Sequence, residues 1–281
     1  MMITKLTVFC RHRTTLEEDI MGLLNSKQNN NASSQDVIKS MLFIAETAVN
    51  DKNYQAAFDM YKKIVSVEPN ETAQFNLGVL YANGCGVKRD FLEAGYWFAQ
   101  AQRSEDDEAE DKAYQCMVNF VYQDIESKTP EQVYYSLIKF IKYVYPEQYN
   151  ENEIGKILFF FAEQSNASQN YKAAFKLFYA CAQFANKGEA QNYLGVYFNM
   201  GCSVEQNDLA ALYWWDKAAS NGVEPALKDK NGLLNHYKSS LSPKEFYEQL
   251  MILSGWCRVG NEAVPKDAQK ADYWREAAEK V

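Results

Sequence analysis

Cysteine and histidine are the residues of this chain with intrinsic chemical reach, and their spacing limits what they can do. The six cysteines, Cys10, Cys85, Cys116, Cys181, Cys202 and Cys257, are dispersed and form no C-x-x-C pair. The two histidines, His12 and His236, lie in separate segments, and no H-E-x-x-H occurs. A zinc site needs three or four such ligands converging on one ion, so the sequence points to no metal and no cofactor. Gly84-Cys85-Gly86 is too short for a phosphate loop of the G-x-x-x-x-G-K-[ST] type. A nucleophilic thiol is the remaining option. Cys85 sits between two glycines with Lys88 and Arg89 close behind, and nearby cations favour the thiolate. The enzyme reading is therefore a thiol-dependent hydrolase using Cys85 or Cys202. The opposing reading makes both of them ordinary loop residues, and His236, beside Tyr237, structural or exposed. Trp97, Trp214 and Trp274 could stack a ligand, yet they stand at matching places in three similar stretches, which favours core packing.

Those stretches are the elements that hold these residues. Leu77–Ala101 has helical spacing as far as Tyr81, a break at Gly84 and Gly86, and a second helical run opened by Asp90. Gly78 allows close helix approach, the loop glycines give the backbone freedom, and Asp90 suits an N-cap. The shape recurs at Leu194–Ala218 and at Leu253–Ala278, and repetition on this scale predicts a stacked array. The cap positions step by 40 residues from Asp90 to Pro130 and again to Asn170, by 37 to Asn207 and by 60 to Asp267. Two degenerate units thus lie between the clear copies, and about 20 residues are inserted before the last one. Residues 1–36 read as an N-terminal extension, with an amphipathic helix over 14–25 and a polar linker over 26–36. The array occupies 37–281, in units of about 38–71, 72–103, 113–149, 151–187, 188–221 and 243–281, with an extra helix near 225–238. Asn53 is the expected cap within the first unit. The charged run at 104–112 is a solvated loop or helix start, or else an acidic docking patch.

The pattern L-G-x-x-Y, G-x-G-V, D-x-x-x-A-x-x-W, A resembles the Sel-1-like repeat, a relative of the tetratricopeptide repeat. The first copy has Leu77, Gly78, Tyr81, Gly84, Gly86, Val87, Asp90, Ala94, Trp97 and Ala101. The second has Leu194, Gly195, Gly201, Val204, Ala211, Trp214 and Ala218, with Phe198, Ser203 and Asn207 as substitutions. The third has Leu253, Gly260, Val264, Asp267, Ala271, Trp274 and Ala278, with Ser254 at the first glycine. Ile44, Ala45, Ala48, Ala57, Tyr61 and Pro69 match a tetratricopeptide unit. The resemblance implies an all-α, right-handed α-solenoid superhelix of about six helix pairs. It also implies that the first helix of each pair lines a concave groove. The groove candidates are then Glu46 and Val49; Phe75, Val79 and Ala82; and Asn192, Val196 and Asn199. Some secreted relatives staple each repeat with a cysteine pair, which this spacing lacks.

Bulk composition narrows the partner. A formal net charge of −8 argues against a nucleic-acid surface, which needs clustered cations. Aromatic residues make up 14 % of the chain, too many for extensive disorder. No apolar run approaches the roughly 20 residues that cross a bilayer, and no secretory signal is read at the start. Dispersed cysteines suit reduced thiols, so the expectation is a cytoplasmic protein without membrane insertion. The function expected is a non-enzymatic scaffold or adaptor binding another protein or peptide in the groove, with a basic partner favoured by charge. An immunity or inhibitor protein, or a secreted effector acting by binding, is the alternative that the resemblance brings. A homodimer through the open repeat ends is a further option.

Overall fold

A computed structural model describes residues 34–101, 107–123, 125–146 and 150–281. Among these the chain is all-α, with thirteen helices and no strand. It divides into two compact units, one holding the described residues up to Asn119 together with Tyr143–Tyr145, the other holding Phe120–Lys142 and Pro146–Val281.

The first unit contains α1 (Ser34–Asn50), α2 (Tyr54–Val67), α3 (Glu71–Asn83) and α4 (Phe91–Ala101), and α5 (Asp107–Tyr122) begins in it. On α1, Val37, Ile38, Met41, Ala45 and Ala48 recur at helical spacing and are buried. That stripe packs with Ala57, Met60, Tyr61 and Ile64 of α2 and with Leu77 and Leu80 of α3 into one apolar cluster. The second unit continues with α6 (Pro130–Val144), α7 (Glu151–Ala167), α8 (Tyr171–Phe184), α9 (Gly188–Met200), α10 (Asp208–Ser220), α11 (Glu224–Ser240), α12 (Pro243–Val259) and α13 (Ala268–Ala278).

Short side-chain caps set where the helices start. Asn53, Asn70, Asn170, Asn207 and Asp267 each accept a hydrogen bond from the backbone N–H three residues on. Asp90 accepts from the Leu92 and Glu93 amides. Thr129 and Gln132 form a reciprocal box around Pro130, the first residue of α6. The tight turns before α2 and α8 are the same structure. Lys52 (φ 58°) and Gln169 (φ 59°) take the left-handed conformation, and an asparagine and a tyrosine follow each. These positions are 117 residues apart, as are Gly84 and Gly201, Cys85 and Cys202, and Trp97 and Trp214.

The boundaries differ from expectation in small ways. α1 starts at Ser34, so the last three residues of the expected linker are its first turn. The charged run opens α5, whose helical residues begin at Asp107. α11 is longer than the expected inserted helix, and Lys230 ties it down through an ion pair with the buried Asp216 of α10 (3.0 Å). Cys10, His12, the helix expected over 14–25, the remainder of the linker and residues 104–106 lie outside the described residues.

Candidate partner-binding surfaces

The repeat signature is spent on holding hairpins together. A Cβ on Gly78 would lie 2.7 Å from the Phe98 ring, and one on Gly195 would lie 2.3 Å from the Trp215 indole. In both Sel-1-like hairpins, therefore, the aromatic residue immediately after the signature tryptophan lies flat against the signature glycine. Trp215 is buried against α9 of its own hairpin. The last hairpin changes both sides of this contact. Ser254 replaces the glycine, Arg275 replaces the second aromatic residue, and the Ser254 hydroxyl donates to the Ala271 carbonyl at 2.7 Å.

The loop glycines serve the backbone. Gly84 (φ 70°) and Gly201 (φ 69°) end α3 and α9 in the left-handed region. Gly86 (φ 68°) also passes so close to the start of α2 that a Cβ would sit 2.4 Å from the Tyr54 carbonyl. Ser203, at the matching place, keeps φ at 64° despite its side chain.

The three signature tryptophans are not equivalent. Trp214 and Trp274 are fully buried, and the Trp214 indole donates to the Ala263 carbonyl at 2.9 Å. Trp97 is half-buried: its ring packs on the first hairpin's core and carries the Lys62 ammonium 4.9 Å above it, while the next residue, Phe98, is buried. Ala94, Ala211, Ala271, Ala101, Ala218 and Ala278 are buried as small spacers.

The groove candidates lie on the first helices of their hairpins and differ in exposure. In the first unit Glu46 is exposed, and Val49, Phe75, Val79 and Ala82 are half-buried. Phe75 meets Phe98 edge-on at 5.4 Å, and the Lys112 ammonium lies 5.8 Å from its ring. In the second unit Asn192, Val196 and Asn199 are all half-buried. Asn199 donates to Asp208 at 3.2 Å, whereas the Asn192 carboxamide oxygen is enclosed without a hydrogen-bond partner. Further exposed apolar side chains that the sequence reading did not single out are Phe43 (71 %) at one hairpin and Met200 (68 %) and Val259 (78 %) at the ends of two first helices. Their positions on helical stripes otherwise turned to solvent were the available signal.

Sequence reasoning also missed Asp216. It is 3 % exposed, and its carboxylate meets Lys230 at 3.0 Å and Lys270 at 2.5 Å, joining α10, α11 and α13. Among the cysteines, burial pushes the thiols of Cys116, Cys181 and Cys257 up to about 12, which keeps them neutral. Cys85 and Cys202 are half-buried loop residues, and His236 is exposed. Among the described residues no three His, Cys, Asp or Glu side chains converge as metal ligands, and no helix is long and apolar enough to cross a membrane.

No curated protein matches the chain. Among solved structures it is similar to the crystal structure of a protective antigen present in uropathogenic Escherichia coli strains, which displays an SLR fold. The two share 19 % identity over 88 % of this chain and 54 % of that one, at a TM-score of 0.30, so the chain spans about half that protein's length. It is also similar to a Sel1 repeat protein from Oxalobacter formigenes, with 22 % identity over 94 % of this chain and 98 % of that one and a TM-score of 0.27. The family model for the Sel1 repeat matches residues 72–102 and 188–223, the two hairpins in which an aromatic side chain seats on the signature glycine; the chain therefore carries Sel1 repeats in both of its compact units.

Proposed function

We propose that the chain is a non-enzymatic scaffold that binds a partner protein or an extended peptide along the first helices of its hairpins. Sel1 repeats point generally to protein–protein interaction. The surfaces offered are Glu46 and Val49 with Phe75, Val79 and Ala82 in the first unit, and Asn192, Val196 and Asn199 in the second. One observation carries the reading. Asn192 holds a carboxamide oxygen with no partner inside the protein, beside the apolar Val196 one turn along the same helix. An enclosed acceptor left unpaired costs about 1–3 kcal/mol, which a hydrogen bond from a partner's N–H would offset. Mixed amide and apolar surface of this kind suits main-chain recognition with shallow side-chain contacts. The net charge of −8 favours a basic partner through the association rate.

The test uses a partner identified by cross-linking and then purified. Asn192→Ala and Val196→Glu should each weaken its binding by about tenfold, with Lys228→Ala, exposed on the inserted helix α11, as the unaffected control. Unchanged affinity in both variants removes the groove assignment. An inhibitor or immunity role is the narrower version of the same reading, in which the partner is a toxin or effector and loses its activity on binding.

A further inference from the structure

The duplication runs well past the repeat signature. At a fixed offset of 117 and without a gap, residues 34–101 correspond to residues 151–218, and 22 of the 68 pairs are identical. Packing accounts for many of these: Ala45 and Ala162, Ala57 and Ala174, and Leu77 and Leu194 are buried in both copies. Where both members of a pair are exposed, only three keep the residue, namely Lys39 and Lys156, Phe43 and Phe160, and Glu46 and Glu163. Other exposed positions have drifted, as Thr47, Lys52 and Lys88 correspond to Gln164, Gln169 and Glu205. The three that are kept lie together, on α1 and again on α7, at i, i+4 and i+7 along one face. Helix stability does not require this line. Phe43 is 71 % and Phe160 46 % exposed. A lysine and a glutamate seven residues apart stand about 10.5 Å apart along the axis, too far to pair within their own helix. Neither glutamate makes an ion pair among the described residues. Lys156 does hold Glu153 at 2.8 Å, but an exposed pair of this kind contributes little and leaves the ammonium open to a second carboxylate. Run in the opposite direction, the line is its own complement. In an antiparallel pair each lysine lies across from a glutamate and phenylalanine lies across from phenylalanine, whereas a parallel pair in register sets like charges together. The chemistry that fits Lys–Phe–Glu is therefore a second Lys–Phe–Glu running the other way, which is the self-complementary contact of a two-fold dimer.

We propose that the occupant of these lines is a second copy of the chain, and that two copies dimerise with each line of one taking an antiparallel line of the other. Each chain offers the line twice, so two contacts of the same specificity support one another. The inference goes beyond the partner-binding reading. Only Glu46 is shared with the surfaces assigned there, and the test needs no partner protein, so the two readings fail separately.

The test is sedimentation velocity of the full chain between about 1 and about 100 µM, where a reversible monomer–dimer equilibrium should be seen. Lys39→Glu combined with Lys156→Glu places glutamate at both ends of each line. Glu46→Lys combined with Glu163→Lys places lysine at both ends. Either double variant alone should dimerise at least about tenfold more weakly, and an equimolar mixture of the two should dimerise again. Phe43→Ala combined with Phe160→Ala should weaken the dimer by a similar factor. All six positions are exposed, so circular dichroism should be unchanged. Lys228→Glu combined with Lys244→Glu makes the same change in net charge at exposed positions elsewhere and should leave the dimer intact. A monomer at every concentration, a dimer indifferent to the charge reversals, no recovery on mixing, or equal weakening by the control pair each overturns the proposal.

Discussion

Single glycines carry the tightest constraints in this protein, and each for its own reason. Gly195 must remain without a side chain because Trp215 occupies the space a Cβ would need, and Trp215 is itself buried with no room to retreat. Gly195→Ala should destabilise the chain by about 1–3 kcal/mol, measured as a fall in the urea midpoint without a change in slope. Gly78→Ala acts on Phe98 in the same way. Gly86→Ala should be worse still, since it adds a left-handed backbone to a clash with main-chain atoms that cannot rotate away. The reverse holds at Ser203, where the left-handed conformation is already imposed on a residue with a side chain. Ser203→Gly should raise stability by about 1 kcal/mol, read from the same urea curves. No gain there would mean that the serine side chain compensates its own backbone strain.

At the scale of elements, side chains from one hairpin tie down the helices and turns of another. Asp216 is the clearest instance, because one buried carboxylate serves lysines from two later helices. Asp216→Ala would leave both ammonium groups poorly solvated and should cost about 3 kcal/mol. It should also loosen α11 and the last hairpin before the rest, seen as faster amide exchange over 224–240 and 268–278 than over 54–67. Uniform exchange across the chain would show that the carboxylate is not a local lock. Lys176 does similar work on another helix, donating to the carbonyls of Ile125 (3.0 Å), Glu126 (2.6 Å) and Lys128 (2.8 Å). Its ammonium fastens α8 to the turn that follows α5, and burial and the nearby Lys172 lower its pKa.

At the scale of the whole molecule, the interior contains groups that must stay protonated. Burial raises the thiols of Cys116, Cys181 and Cys257 from 9.0, and the phenols of Tyr61 and Tyr179 from 10.0, to about 12. The folded chain thus holds protons that the unfolded chain releases at lower pH. Their contribution is complete below about pH 9 and is lost progressively as pH rises toward 12. Urea midpoints should therefore fall between pH 8 and pH 11, and a flat profile would contradict the burial of these groups. The same burial sorts the cysteines. Of those described, Cys85 and Cys202 should label first with a thiol reagent, at comparable rates, and the other three only on unfolding. One hyper-reactive residue among the five would instead support the hydrolase reading.

How much of this was legible in the sequence depends on the range of the interaction. Helix starts were readable at Asn53, Asp90, Pro130 and Asp267, because a cap acts on a backbone amide two or three residues away. The Sel1 pattern is written in spacing along the chain, which one dimension records in full, and the all-α class was implied by the resemblance that the pattern carries. Tertiary packing alone decided that Trp215 seats on Gly195, that Trp97 stays half-exposed while Trp214 and Trp274 do not, and that Asp216 gathers Lys230 and Lys270. Those contacts join residues 14 to 54 positions apart across different helices, and a helical period fixes which side of its own axis a residue occupies but not which neighbour fills the space opposite.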